Sequence, residues 1–241
     1  NVLYYLAMFH MHYLHHTLKK ELSALYVNTM LRGFAAGMMG LFTPLYFYKL
    51  GFSVSAILFF LVVSYLIFAI FVIPGAHFTV RMGHEKTIAW STPLLLVYFL
   101  ILYYLPGNHA LFLLAALVLG VHNGIYWVAY HSEFASFADH NSVGEEIGYL
   151  KVFITIISVI APALAGIFIE SWGFPMLFFI STILIVLSVI PVLATPEKWT
   201  SGTVSSFRIL QMFKAPKLRK DLVGMLATGE DSIASTVWPI Y

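Results

Sequence analysis

Apolar residues in this chain neither alternate nor keep to one helical face. They come in long runs separated by short polar breaks. A helix needs about 20 mostly apolar residues to cross the hydrocarbon core of a bilayer. Seven windows qualify, at 22–48, 53–74, 87–105, 110–130, 147–169, 174–194 and 221–241. The seventh is the least apolar. The breaks hold glycine and proline, the residues expected to punctuate helices. Lys49-Leu50-Gly51, Pro106-Gly107-Asn108 and Trp172-Gly173 separate successive runs, and Pro196 closes the sixth. Tyr103, Tyr104, Trp172 and Trp199 fall near predicted ends, where amphipathic rings favour the membrane–water interface. The pattern predicts an all-α, polytopic helical membrane protein.

Composition sharpens that reading. The chain has 241 residues, of which 60% are hydrophobic and only 10% charged, and its mean hydropathy is +0.87. A soluble domain carries about 25% charged residues, so this apolar excess is too large for one soluble core. There is no cysteine, which excludes disulfides, thiol nucleophiles and thiolate metal sites. No H-E-x-x-H pair, phosphate-cradling P-loop or G-x-S-x-G elbow is present. Neither an enzyme nor a cofactor is implied. No secretory signal is legible before the first run. The start at Asn1 suggests an N-terminus that is cut or incomplete.

The cations set an orientation. Lys19, Lys20, Arg81, Lys86, Lys151, Lys198, Arg208, Lys214, Lys217, Arg219 and Lys220 fall in one set of connecting segments, and the opposite set holds only Lys49. The cation-rich side is expected in the cytoplasm, together with the N-terminus. Such cations suit anionic lipid headgroups, not nucleic acid. The chain then divides into an N-terminal cytoplasmic or interfacial segment (1–21), a six-helix bundle (22–194), a basic cytoplasmic linker (195–220) and a further helix (221–241). His12 and His16 in the first segment have a spacing that could share a metal ligand. Histidines at a wet interface are the more ordinary reading of them.

Polar residues inside spans are costly and need a partner or a wet cavity. Glu230 and Asp231 lie about 10 residues into the seventh window, near mid-membrane at 1.5 Å per residue. Paired carboxylates at that depth suggest proton or cation coupling. A helix that starts later would leave both at the surface. Arg32 lies about as deep in the first run. It could pair with those acids, bind an anionic substrate by its planar fork, or snorkel to the interface. His122, Tyr126 and Tyr130 recur every four residues and share one face of the fourth helix, with Asn123 beside them. Interhelical hydrogen bonding is the structural alternative for this stripe and for Asn28. Gly33 and Gly37 form a G-x-x-x-G expected to allow close helix packing.

The seventh run ends in 238-WPIY-241 and the first in 43-TPLYFY-48, each following a basic cluster. That is the mark of a repeated six-span unit. With six spans, a basic linker and this repeat, the chain resembles the major facilitator superfamily. The segment 80-VRMGHEK-86 stands where that family has a loop of the form G-x-x-x-D-R-x-G-R-[RK]. Arg81 and Gly83 match, and Lys86 supplies a cation one place late. Val80 replaces the acid, and His84 and Glu85 replace cations. The runs 44-PLYFYKLGFS-53 and 161-APALAGIFIESWGF-174 are similar to the family's first and fifth helices.

The resemblance implies a six-helix bundle plus a seventh helix, whose partner is a missing C-terminal half. It implies a secondary transporter of a small-molecule substrate, working by alternating access across the lipid bilayer of the cell membrane. It makes the first and fourth helices cavity walls. Arg32, Asn28, His122, Asn123, Tyr126 and Tyr130 then become substrate-contact candidates. Glu230 and Asp231 become coupling candidates, and Arg81, Gly83 and Lys86 a gating loop. The rival readings are a seven-span receptor or sensor and an intramembrane lipid-handling enzyme.

Overall fold

The computed structural model describes the backbone of residues 2–137 and 143–194, and the side chains of residues 23–133 and 152–194. These segments form six α-helices: α1 (Val2–Lys49), α2 (Val54–Met82), α3 (His84–Tyr104), α4 (Leu111–Phe137), α5 (Val143–Trp172) and α6 (Phe174–Leu193). A 3-10 turn, Leu105–Gly107, follows α3. The linker and the seventh window, with Glu230 and Asp231, lie outside the described residues, as do the side chains of His12 and His16.

Five of the helices are long and apolar enough to span a bilayer: Val54–Met82, His84–Gly107, Leu111–Glu133, Val152–Trp172 and Phe174–Leu193. This is a multi-pass membrane protein. The first helix is not among the five. Asn28, Thr29, Arg32 and Thr43 lower its hydropathy, and Asn28 and Arg32 are buried inside the bundle.

Several helices outrun their apolar windows. α1 is one continuous helix through the expected boundary at 22, because Lys19-Lys20-Glu21 are good helix formers with no glycine or proline to stop them. α2 runs past Pro74 to Met82. The stretch 80–86 is therefore not an extended loop but two helix ends joined at Gly83. Gly83 has φ +87 and ψ 164, a conformation open essentially to glycine alone. Its N–H donates to the Thr79 carbonyl at 3.0 Å, and the Thr87 hydroxyl donates to the Gly83 carbonyl at 2.7 Å. Arg81 and Lys86 are exposed, whereas His84 and Glu85 are buried. The last two therefore face the bundle and not the surface.

The bundle exposes large apolar side chains and buries many polar ones alongside a hydrophobic core, as expected where lipid is the solvent. Val159, Trp90 and Val62 are exposed, while Ser64, Thr92, His122, Ser181 and Ser188 are buried. Several buried hydroxyls donate to the carbonyl one turn back, as Ser64 does to Phe60 at 3.0 Å and Thr79 to Gly75 at 2.9 Å. This satisfies them within their own helix.

The helices pack as two triads. α1 lies against α5 and α6, and α4 lies against α2 and α3, with α3 against α6 between the triads. Exchanging α1 with α4, α2 with α5 and α3 with α6 maps these neighbour relations onto themselves. The turns obey the same exchange. α2 meets α3 at Gly83, and α5 meets α6 at Gly173, which has φ +78 and ψ 179. Such an inverted three-helix repeat is a known building principle of transporters.

The closest helix approach is not the one expected at Gly33 and Gly37. Only Gly37 abuts a neighbour, with its virtual Cβ 3.1 Å from Ala161 Cβ, and Gly33 has open space. The tight contact joins α2 to α4. A Cβ on Gly75 would collide with the Gly124 carbonyl, one on Gly120 would sit 2.6 Å from the Ser64 carbonyl oxygen, and one on Gly124 2.5 Å from Phe71 Cβ. The obstructing groups on Gly75 and Gly120 are backbone and cannot swing away. Gly120 and Gly124 are themselves a G-x-x-x-G pair.

Gly75→Ala and Gly120→Ala are each expected to destabilise the bundle by about 1–3 kcal/mol, the usual cost of overpacking. Gly33→Ala should be near neutral. Thermal unfolding in detergent checks the contrast, which equal losses at all three positions would contradict.

Candidate functional site

A cavity of about 560 Å³ lies between α1 and α4, with contributions from the other described helices. Small residues on α1 leave the space. Gly33, Ala36 and Gly40 line it, and Gly33 and Gly40 have nothing within 4 Å of a virtual Cβ. Aromatic side chains close the end near Lys49. Phe47 lies 4.8 Å from Phe60 and 5.0 Å from Phe112 by ring centroids, and Phe52 stacks on Phe112 at 4.1 Å. The Tyr46 hydroxyl ties this cluster to α3 by donating to the Leu102 carbonyl at 2.7 Å.

α4 supplies the opposite wall because of its register. Gly120 and Gly124 are one turn apart and face α2. His122, Tyr126 and Tyr130 lie about 200° round from Gly124, at 100° per residue, and face the cavity. Their rings form a ladder. His122 stacks on Tyr126 at 5.6 Å and 15°, and Tyr126 on Tyr130 at 5.9 Å and 21°. A second stack beside it, Trp127 on His131 at 5.5 Å, also lines the space. His122 is oriented by α3, since its Nδ1–H donates to the Ser91 carbonyl at 2.8 Å. That hydrogen bond leaves Nε2 as the acceptor of the neutral ring.

Arg32 is the charged centre of the wall. It is 6% exposed. Its guanidinium carbon sits 4.3 Å from the centroid of the Tyr126 ring. One terminal nitrogen donates to the Thr92 hydroxyl, and its Nε–H has no acceptor among the described residues. A cation at mid-helix costs about 2.5–3.5 kcal/mol on insertion scales. A desolvated cation–π contact returns about 2 kcal/mol. Tyr126 therefore offsets much of the cost without an anion.

Five of the six substrate-contact candidates come together here: Arg32, His122, Asn123, Tyr126 and Tyr130. Asn28 does not join them. Its Nδ2 donates to the Ser188 carbonyl at 2.6 Å and ties α1 to α6, a helix-linking role. Thr92, Trp127 and His131 are additions to the expected set. Thr92 precedes Pro93, and a lone hydroxyl there carried little signal. His131 stands four residues after Trp127, a spacing that could have revealed the second stack.

Tyr126→Phe keeps the ring face and should leave the melting temperature nearly unchanged. Tyr126→Leu removes it and should destabilise the protein by about 1–2 kcal/mol, the scale of a buried cation–π contact. Thermal unfolding of the two variants side by side checks this.

No curated protein matches the chain at a significant level. A family model described as Major Facilitator Superfamily matches residues 25–230. That match takes in α1 from residue 25, the whole of α2 to α6 and the cavity between α1 and α4, and the chain therefore belongs to the Major Facilitator Superfamily, a family of secondary transporters.

Proposed function

We propose that this protein moves a small solute across the membrane by alternating access, with the α1–α4 cavity as one wall of its binding site. One observation carries the reading: a space of metabolite size beside a buried cation, a histidine and an asparagine, inside a lipid-embedded bundle. A second bundle, beginning with the helix at 221–241, supplies the opposite wall. The positive-inside pattern supports a cytoplasmic N-terminus in the cell membrane. Glu230 and Asp231 act as coupling carboxylates in this scheme, with a proton as the coupled ion. The exposed pair Arg81 and Lys86 flanks the Gly83 turn and latches the two bundles in one state.

Uptake into proteoliposomes, with and without an imposed proton gradient, tests the scheme on the full-length protein. Glu230→Gln with Asp231→Asn should abolish gradient-driven accumulation while sparing downhill exchange. Loss of both modes would move these acids from coupling to structure. Arg81→Ala should slow transport several-fold with membrane insertion intact. Unchanged transport would reduce Arg81 to a determinant of topology.

A further inference from the structure

The cavity wall carries one sign of fixed charge. Arg32 is its only permanently charged side chain among the described residues, and no aspartate or glutamate lines the space. The contacts that hold Arg32 are neutral, the Thr92 hydroxyl and the Tyr126 ring. The buried Nε–H has no acceptor among the described residues. A guanidinium offers five donors in a planar fork that matches a carboxylate. Much of the rest of the wall is apolar or aromatic. Tyr126 lies between His122 and Tyr130 with interplanar angles of 15° and 21°, and Met39, Phe60 and Leu119 face the same space.

We infer that the cargo of this cavity is an organic anion, its carboxylate held at Arg32 and its flat apolar body lying along the His122–Tyr126–Tyr130 ladder. This rests on the transport reading of the same site and names its substrate class. A cationic cargo would meet Arg32 with no acid among the described lining residues to offset it. A neutral cargo would leave the buried charge with only the Thr92 hydroxyl and the Tyr126 ring in both the empty and the loaded states. An anion alone improves on the empty site, because it neutralises a guanidinium that is buried. The aromatic wall then favours an acid with a ring or planar chain over a small inorganic anion.

A carboxylate could also come from the protein itself, through Glu230 or Asp231. The test therefore uses the full-length protein in detergent with three near-isosteric probes: phenylacetate, phenylacetamide and 2-phenylethylamine, each at up to about 10 mM, the range of weak single-site affinities. Phenylacetate should raise the melting temperature and the other two should not. Acetate should do so at least about tenfold less effectively, the scale expected for loss of the ring's apolar contact. Arg32→Gln should abolish the phenylacetate effect, and Arg32→Lys should weaken it while retaining the preference for the acid. Should Arg32→Gln fail to fold, the charge series on the unaltered protein still decides.

An equal response to the amide or amine overturns the inference, as does no response to phenylacetate. So does a response that emerges only in Glu230→Gln with Asp231→Asn, because an internal ion pair then occupies Arg32. Arg32-dependent binding without uptake into proteoliposomes would sink the transport reading and leave the anion site standing. Uptake of the amine or amide but not the acid would do the reverse.

Discussion

The bundle is organised around keeping one positive charge where lipid and apolar side chains exclude water. Arg32 cannot shed its charge cheaply, so its surroundings must hold it. Tyr126 on α4 presents a ring face, and Thr92 on α3 an oxygen. Those two contacts fix the spacing of α1 from α3 and α4. His122, oriented by the Ser91 carbonyl of α3, holds Tyr126 by stacking. Each of these polar groups is tolerated because another supports it. The same demand explains why α1 is the least lipid-like of the described helices, since its polar residues point inward.

α4 meets two opposed requirements with one register. Its glycine face presses backbone to backbone on α2, and its ring face bounds the cavity. Bulk on the glycine face would push α2 away. Loss of bulk on the ring face would remove the support of Arg32. The exchange symmetry of the two triads places α1 in the position equivalent to α4, and α1 also carries small residues. Two of these, Gly33 and Gly40, open onto empty space. In one triad glycine brings helices together, and in the other it leaves room between them.

Much of this was legible in the chain itself. Apolar runs located five spanning helices, because burial in lipid leaves no alternative to a continuous apolar surface. The four-residue recurrence of His122, Tyr126 and Tyr130 found the ladder, because a shared helix face is a property of spacing alone. Helix ends were less legible. The second apolar window ended at Pro74, yet Gly75 meets Gly124, and α2 continues. A glycine's role as turn, contact or open space depends on what faces it, which no local pattern encodes. Asn28 failed as a cavity residue for a related reason. It sits one turn before Arg32 on the same helix, and a small rotation sends it to the Ser188 carbonyl on α6.

The glycine contact between α2 and α4 has a mechanical consequence. Backbones in direct contact leave no side-chain layer to shear, so α2, α3 and α4 behave as a stiff plate. The second plate, α1 with α5 and α6, meets the first chiefly along α3 and α6. That seam is a fulcrum, and α1 and α4 are the free edges on either side of a gap. A slight tilt about the fulcrum changes the gap between Arg32 and the ring ladder more than it changes anything at the seam. Whatever fills the gap thus acts as a spacer, setting the angle between the plates and the profile the bundle offers its neighbours.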